Sequence, residues 1–147
     1  MNNIAEIEKQ ICNMIVLDSI VANEDRHFNN FGFIRNPATL EWLGLAPIFD
    51  TGTSMFHDVS LHDLKYGVVY VSYRSKAKPF AKTHYEQLKK LNCSNFCAKL
   101  PFENLSDIDS FFESILEQNR HLHEKKSYLC NILKSRVSET EKLIRQQ

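Results

Sequence analysis

The sequence predicts a mainly α-helical domain that carries one small β-hairpin. Three observations lead to this prediction. Apolar residues recur at three- and four-residue spacing near both ends of the chain, a short extended segment turns at Asn36-Pro37, and no internal repeat or low-complexity tract interrupts the chain. The length of 147 residues suits one domain and argues against two, because domains commonly run about 100–150 residues.

The first element predicted is a helix over residues 3–18. Its apolar positions repeat with helical spacing and share one face: Ile4, Ile7, Ile11, Met14 and Ile15. A polar loop over residues 21–30 follows, and then a hairpin over residues 31–46 that turns at Asn36-Pro37. A further extended piece, residues 47–54, contains Asp50, and residues 55–82 are predicted to be irregular.

Residues 83–147 are predicted to form a helical scaffold of three helices. Thr83 and Glu86 have the spacing of a capping box, which starts the first of them. Ser106-Asp107 announces the second, near residue 107. The third covers about residues 122–144 and has these positions on its inward face: Leu129, Ile132, Leu133, Val137, Thr140 and Leu143.

Composition excludes several classes of protein. The 18 basic and 18 acidic side chains balance, whereas proteins that coat nucleic acid or an anionic membrane need a basic excess. No apolar run approaches the roughly 20 residues of a membrane span, and the N-terminal residues lack the pattern of a secretory signal. With no export signal, the four cysteines are predicted to be reduced thiols, and the protein is predicted to be cytoplasmic and to bind neither nucleic acid nor membrane directly.

The polar loop is the segment predicted to carry chemistry. Asp25 and Asn30 lie five positions apart in it, and Asp50 follows on the far side of the hairpin. Phosphoryl transfer needs a carboxylate that orients the acceptor hydroxyl, together with an amide and a second carboxylate that hold Mg²⁺ on the phosphates. Mg²⁺ prefers such hard oxygen ligands. The spacing therefore predicts that Asp25 acts on the acceptor, and that Asn30 and Asp50 bind Mg²⁺ and ATP.

The same residues resemble a known family. The run Asn23-Glu24-Asp25-Arg26-His27-Phe28-Asn29-Asn30, followed by Ala46-Pro47-Ile48-Phe49-Asp50-Thr51-Gly52, resembles the C-terminal lobe of the HipA-like serine/threonine kinases. The segment Ser75-Lys76-Ala77-Lys78-Pro79-Phe80 is similar to the family's continuation, so the resemblance extends over nearly the whole chain. It implies a protein-kinase-like C-terminal lobe of the α+β type.

The resemblance also implies roles for individual residues. It makes Asp25 the catalytic base, Asn30 the first metal ligand and Asp50 the Mg²⁺-binding aspartate. His27 lies where ordinary protein kinases have a lysine. It is predicted either to donate a hydrogen bond to the transferred phosphoryl group or to be a structural histidine bonded to the backbone near the loop, and the two roles are compatible. The family further implies a Ser/Thr-bearing protein substrate and a bacterial toxin–antitoxin setting with an antitoxin as partner.

Two departures from the family pattern stand out. Asn29 occupies the position where the family usually has lysine, which removes a candidate phosphate-binding cation. Only 24 residues precede Asp25, too few for a Gly-rich loop and an ATP-binding lysine, so the N-terminal lobe is predicted to be absent. The isolated chain is then expected to be inactive without a partner that bears this lobe.

Other interpretations of these residues stay open at this point. The chain is alternatively a non-catalytic lone lobe: a fragment, half of a split kinase or an interaction module. The hexapeptide Asp25-Arg26-His27-Phe28-Asn29-Asn30 also matches phosphoinositide kinases, although the neutral charge gives a lipid substrate no support. Asp18 either braces the loop or is a solvated carboxylate at the helix end, and the latter is the simpler interpretation. Arg74, Lys76 and Lys78 form a small basic cluster that either meets an acidic substrate or belongs to a solvated loop, and the latter is the simpler interpretation.

Overall fold

The computed structural model describes residues 4–66, 75–91, 107–116 and 120–146. As predicted, the described part is mainly helical and contains one two-stranded antiparallel sheet. In chain order the elements are α1 (Ile4–Val21), β1 (Phe33–Arg35), β2 (Trp42–Leu45), α2 (Leu61–Tyr66), α3 (His84–Lys90), α4 (Asp107–Leu116), a 3₁₀ helix (Arg120–Lys125) and α5 (Lys126–Arg145).

Helix α1 is the centre of the fold, since it packs against α3, α5 and β2. Its first half has the predicted one-sided pattern, with Ile4 exposed, whereas its second half is buried on nearly all sides. The helix ends at Val21 rather than at Asp18, so Asp18 lies within the buried last turns. The core around α1 contains Met14, Ile15, Val16, Ile20, Leu88, Ile108, Leu129, Ile132, Leu133, Val137 and Leu143.

The hairpin of β1 and β2 falls within the predicted range and is fastened to α1. The Asn36 Oδ1 atom accepts the N–H groups of Ala38 (2.9 Å) and Thr39 (3.2 Å), which shapes the turn. On the other strand, the Gln10 Oε1 atom of α1 accepts the Leu45 N–H at 2.8 Å. Gly44, with φ 139°, allows this approach, because a Cβ there would come within 3.3 Å of Gln10 Oε1.

The two short helices α2 and α3 each begin beside a side chain that caps their first turn. Thr83 Oγ1 accepts the Glu86 N–H at 3.2 Å, as half of the predicted capping box requires, and α3 begins at His84. Helix α2 lies in a segment that was predicted to be irregular. Ser60 Oγ accepts the Asp63 N–H at 3.1 Å and so caps this single turn and a half, which is too short to show apolar periodicity.

Two of the four cysteines, Cys12 and Cys130, are buried free thiols, which agrees with the reduced state predicted for them. Cys93 and Cys97 lie outside the described residues, as does part of the segment predicted to be irregular, residues 67–74. Across the described helices, none has both the length and the apolar content that crossing a membrane requires.

Candidate active site

The polar loop leaves α1 through a left-handed residue and closes on itself. Ala22 has φ 53°, and the Asn23 N–H then bonds the Asp18 carbonyl at 2.9 Å. Two further main-chain bonds follow, from His27 N–H to the Asp25 carbonyl and from Asn30 N–H to the His27 carbonyl, each 2.9 Å. The loop therefore folds as consecutive tight turns that present Asp25, His27 and Asn30 close to one another.

A buried ion pair lies beneath this loop. Arg26 donates from Nε to Asp18 Oδ2 at 2.9 Å and from Nη2 to Asp18 Oδ1 at 3.0 Å. The side chains of Arg26 and Asp18 are 0% and 1% exposed. A planar guanidinium that meets a carboxylate with two parallel bonds has little freedom to rotate. The interpretation of Asp18 as a solvated carboxylate is thus wrong, since Asp18 braces the loop from the last turns of α1.

The third nitrogen of Arg26 joins the loop to the segment that carries Asp50. Arg26 Nη1 donates to the Asn30 carbonyl at 2.7 Å and to the Phe49 carbonyl at 2.6 Å. Because one nitrogen bonds both oxygens, the main chain at Asn30 must lie beside the main chain that immediately precedes Asp50. Arg26 therefore brings together two positions that are 20 residues apart in the sequence.

Asn23 completes this arrangement. Its Nδ2 donates to Asp18 Oδ1 at 3.0 Å, while its Oδ1 accepts the Asp25 N–H at 3.2 Å and the Thr53 hydroxyl at 2.8 Å. Asn23 is fully buried. Its amide thus links α1, the loop and the chain just after Asp50. We call the buried side chains of Asp18, Asn23 and Arg26 the Arg26 bracket.

Asp25 itself lies at the surface and is paired with a lysine from a distant segment. Lys78 Nζ donates to Asp25 Oδ1 at 2.6 Å, and the two side chains are 55% and 41% exposed. The hydrogen bond from Lys78 lowers the pKa of Asp25 below its ordinary value, and the charges of Lys78 and His27 lower it further. The carboxylate is therefore ionised at neutral pH and able to accept a proton.

Asn30 is oriented by a hydrogen bond back to the same loop. Its Nδ2 donates to the Asp25 carbonyl at 2.9 Å, which turns Oδ1 away from that contact; within the described residues Oδ1 has no protein partner. Asp50 is exposed and has φ 54°, a left-handed conformation that aspartate tolerates better than most residues. Asn30 and Asp50 thus supply an amide and a carboxylate oxygen on neighbouring main-chain segments.

These two oxygen donors fit Mg²⁺. Mg²⁺ is usually bound by one or two carboxylates together with waters and substrate phosphates, and not by an all-protein cage. The described residues contain no cluster of three or more His, Cys, Asp and Glu side chains that would enclose a metal. A divalent ion at Asn30 and Asp50 would keep most of its coordination positions for phosphate oxygens.

His27 is half-buried beside Asp25, where its imidazole takes part in the turn. The Asn29 N–H donates to His27 Nδ1 at 3.3 Å, which leaves Nε2 outside this contact. Nε2 is then the ring nitrogen that would donate to a bound phosphoryl group. The role of His27 toward a phosphate stays a prediction.

A cavity of about 1280 Å³ opens on the Asp25 side of the loop. Its lining includes Glu24 and Asp25 from the loop, residues 75–79, 81 and 82 from a distant segment, and His57 and Asp58. Asn30 and Asp50 do not line it. Of the three predicted residues Asp25, Asn30 and Asp50, it is therefore Asp25 that borders this cavity.

Comparison with known proteins identifies the architecture. The crystal structure of a Helicobacter pylori proinflammatory kinase, CtkA, superimposes on this chain with a TM-score of 0.66 at 22% sequence identity, over 95% of this chain and 52% of that chain. The chain has a kinase-like fold. It spans about half the length of the kinase it matches. No protein-family model and no curated protein sequence matches the chain.

The kinase-like fold agrees with the predicted architecture, whereas the HipA-like family and the roles of Asp25, His27, Asn30 and Asp50 stay predictions. Sequence reasoning did not find the Arg26 bracket or the Lys78 contact. The sequence contains one indication of the buried ion pair: Asp18 interrupts the apolar run from Met14 to Ala22, and a carboxylate buried in such a run needs a partner.

Proposed function

We propose that this chain is the catalytic lobe of a HipA-like serine/threonine protein kinase that transfers the γ-phosphoryl group of ATP to a protein hydroxyl. One observation carries the proposal. The Arg26 bracket holds the loop of Asp25 and Asn30 against the segment of Asp50, so the three predicted residues belong to one braced unit. The kinase-like fold supports it.

In the proposed reaction, the acceptor hydroxyl oxygen forms a bond to the γ-phosphorus while the bond from that phosphorus to the β–γ bridging oxygen breaks. The electron pair of the broken bond leaves with ADP, and the hydroxyl proton passes to the Asp25 carboxylate. The low pKa of Asp25 suits it to orient the hydroxyl and to accept the proton late, as a loose transition state requires. The cavity beside Asp25 is the proposed site of the acceptor.

Asn30 and Asp50 would hold Mg²⁺ through Oδ1 and a carboxylate oxygen. When bound, the ion would neutralise charge on the phosphates. The protein's own part is to hold these two donors at a fixed separation, which the Arg26 Nη1 bonds to the adjoining main chain favour.

We further propose that a second lobe covers the nucleotide, whether on the same polypeptide or on a partner. The match to about half of a kinase supports this, because positioning a nucleotide for transfer takes groups from both sides. The resemblance to HipA-like kinases adds a bacterial toxin–antitoxin setting, with a Ser/Thr protein substrate and an antitoxin as partner in the cytoplasm.

Nucleotide binding by the chain tests the proposal. We expect Mg·ATP to bind with a Kd on the order of 1 mM, weak because the covering lobe is missing from the mixture, and to shift the NMR resonances of residues 25–30 and 50. Asn30→Ala and Asp50→Asn should each weaken this binding. Asp58→Asn is the matched control for nucleotide binding, since Asp58 is an exposed carboxylate that lines the cavity proposed for the acceptor and is not one of the proposed Mg²⁺ ligands.

Two results would contradict the proposal. Absence of Mg·ATP binding at several times that concentration would favour a non-catalytic interaction lobe. Equal binding by all three variants would place the nucleotide elsewhere. Transfer of radiolabelled phosphate, assayed together with a complementing N-terminal lobe, distinguishes a protein kinase from a lipid kinase: Ser/Thr peptides are the acceptor in one arm and phosphoinositide vesicles in the other. Asp25→Asn should slow the transfer about 10²–10⁴-fold.

A further inference from the structure

Lys78 meets Asp25 across 53 residues of sequence. Its segment, residues 75–82, lines the cavity with all of its residues except Phe80. Main-chain hydrogen bonds fix both ends of that segment. The Ala77 N–H bonds the Lys82 carbonyl at 2.9 Å, and the His84 N–H bonds the Ser75 carbonyl at 3.1 Å. Lys78 therefore lies on a turn that is closed by main-chain hydrogen bonds, and its side chain contacts Asp25.

Aromatic contacts hold the same turn against the loop. The Phe80 ring lies 5.9 Å from the Phe28 ring, edge to face, and 6.3 Å from the Phe31 ring. The Phe80 main chain is bonded in addition to α3, by its N–H to Gln87 Oε1 at 3.0 Å and by its carbonyl to Lys90 Nζ at 2.9 Å. Because Phe28 and Phe31 flank Asn30, these contacts fix the distance between the turn that bears Lys78 and the loop that bears Asp25 and Asn30.

The loop lacks a lysine or arginine of its own that a phosphate could reach. Arg26 is fully buried, and its Nε, Nη1 and Nη2 are engaged by Asp18 and by two main-chain carbonyls. Asn29, at the position where the resemblance implies lysine, is neutral. During transfer, negative charge spreads over the three equatorial oxygens of the phosphoryl group, so a kinase-like site needs a positive group beside its catalytic carboxylate.

We propose that Lys78 is a catalytic residue whose ammonium group, paired with Asp25 in the free protein, binds the γ-phosphoryl group of ATP. The proposal rests on the proposed function. Lys78 keeps its proton throughout; the new bond to the acceptor oxygen, the broken bond to ADP and the proton received by Asp25 are those already described. A half-exposed lysine can turn from Asp25 toward a phosphate by rotating side-chain bonds alone.

Lys76 and Lys82 line the same cavity and provide matched controls. They carry the same charge on the same turn, but neither bonds Asp25 among the described contacts. General attraction between the cavity and a polyanion would involve all three lysines alike. Contact with the γ-phosphoryl group should involve Lys78 alone, and it should matter for ATP but not for ADP, which lacks that group.

The test compares the affinities of Mg·ATP and Mg·ADP for the full chain by NMR titration. Lys78→Met should lower the preference for ATP over ADP about tenfold, as expected for loss of a hydrogen bond to a charged group. Lys78→Arg should keep most of the preference, and Lys76→Met and Lys82→Met should leave it unchanged. A thermal melt of each variant verifies folding, since exposed lysines contribute little to stability.

The possible failures are distinguishable. If Lys78→Met keeps the ATP preference, or if all three Met variants lose it equally, the role of Lys78 is overturned and the proposed function stands. If the unsubstituted chain binds neither nucleotide, the proposed function fails, and the role of Lys78 fails with it.

Discussion

The Arg26 bracket and the surface above it each contain an ion pair between a basic side chain and an aspartate, but the first pair is buried and the second is exposed. In the bracket, Arg26 and Asp18 meet with 0% and 1% of their side chains exposed, and all three guanidinium nitrogens are bonded. At the surface, Lys78 and Asp25 meet with 55% and 41% exposed, through a single bond. We call the exposed side chains of Asp25, Asp50 and Lys78 the open face.

This difference in exposure assigns different tasks to the two regions: the Arg26 bracket positions the loop, and the open face is free to bind substrates. Breaking a buried pair leaves an uncompensated charge, which costs about 3–5 kcal/mol, whereas exposed pairs contribute about 0–1 kcal/mol. The bracket is therefore rigid enough to define where the loop lies. The open face can exchange its protein partners for a metal, a phosphate or a hydroxyl at little cost, as a site that binds substrates requires.

The largest expected effect comes from breaking the bracket. Arg26→Met should lower the free energy of unfolding by about 3–5 kcal/mol, because Asp18 loses its cation and the Asn30 and Phe49 carbonyls lose their donor. Urea denaturation at pH 7 measures it. Since small domains are stable by about 5–15 kcal/mol in total, this variant should be close to unfolding at 37 °C.

Arg35→Met is the matched control for that measurement. Arg35 lies on the exposed strand β1, bonds the Leu40 carbonyl and covers the Trp42 ring, so its loss should cost no more than about 1 kcal/mol. Equal destabilisation by the two variants would contradict the contrast between bracket and surface. Replacing both charges, as Asp18→Leu with Arg26→Met, should recover part of the loss, because no charge is then left unpaired.

A second buried basic group extends the comparison to pH. His84 is the first residue of α3 and is fully buried, and burial together with the charge of Arg136 lowers its pKa to about 3. In the unfolded chain, the pKa of His84 has its ordinary value of about 6.5. Below pH 6.5 the unfolded state therefore binds a proton at His84, whereas the folded state does not until the pH approaches 3. From pH 6.5 to pH 5, His84 should therefore remove about 1.5 kcal/mol of stability.

Denaturation curves of His84→Leu isolate this contribution, because the variant cannot titrate there while other carboxylates titrate in both proteins. The stability difference between the unsubstituted chain and the variant should shrink or reverse as the pH falls from 6.5 to 5. Parallel pH profiles for the two proteins would mean that His84 is protonated in the folded state and that Arg136 does not exclude the charge.

The bracket and the open face also differ in how far the sequence predicts them. The helices and the hairpin follow from periodicity and from turn and capping residues, and the spacing of Asp25, Asn30 and Asp50 indicates the candidate site. The buried position of Arg26 could not be predicted, because arginine is mostly exposed in proteins. No local pattern shows that Arg26 bonds one carbonyl before the hairpin and one after it.

Lys78 was missed for a different reason. Its partner Asp25 is 53 residues away, and a contact of that separation is determined by how α3 and the hairpin pack, which no local pattern encodes. Helix α2 was missed because six residues are too few for apolar periodicity. Local sequence patterns therefore cannot predict long-range contacts. In this chain, long-range contacts are the ones that assemble the candidate site.

The smallest expected effect on stability comes from the open face. Lys78→Met should change the free energy of unfolding by no more than about 1 kcal/mol, as for other exposed pairs. The pKa of Asp25 should nevertheless rise toward its ordinary value, because the hydrogen bond from Lys78 is the main cause that lowers it. Carbon-13 NMR of the Asp25 carboxyl group, titrated without Mg²⁺, measures this shift directly.

Lys76→Met serves as the control for this shift, since Lys76 shares the cavity without bonding Asp25. A pKa of Asp25 that is equal in the unsubstituted chain and in Lys78→Met would contradict the ion pair. A rise in the pKa together with a stability loss as large as that of Arg26→Met would contradict the division between the two regions, because Lys78 would then hold the fold as well as the carboxylate. A rise with little loss of stability is the result that an exchangeable, solvent-exposed pair requires, since Lys78 can leave Asp25 for a phosphate only where leaving costs the fold little.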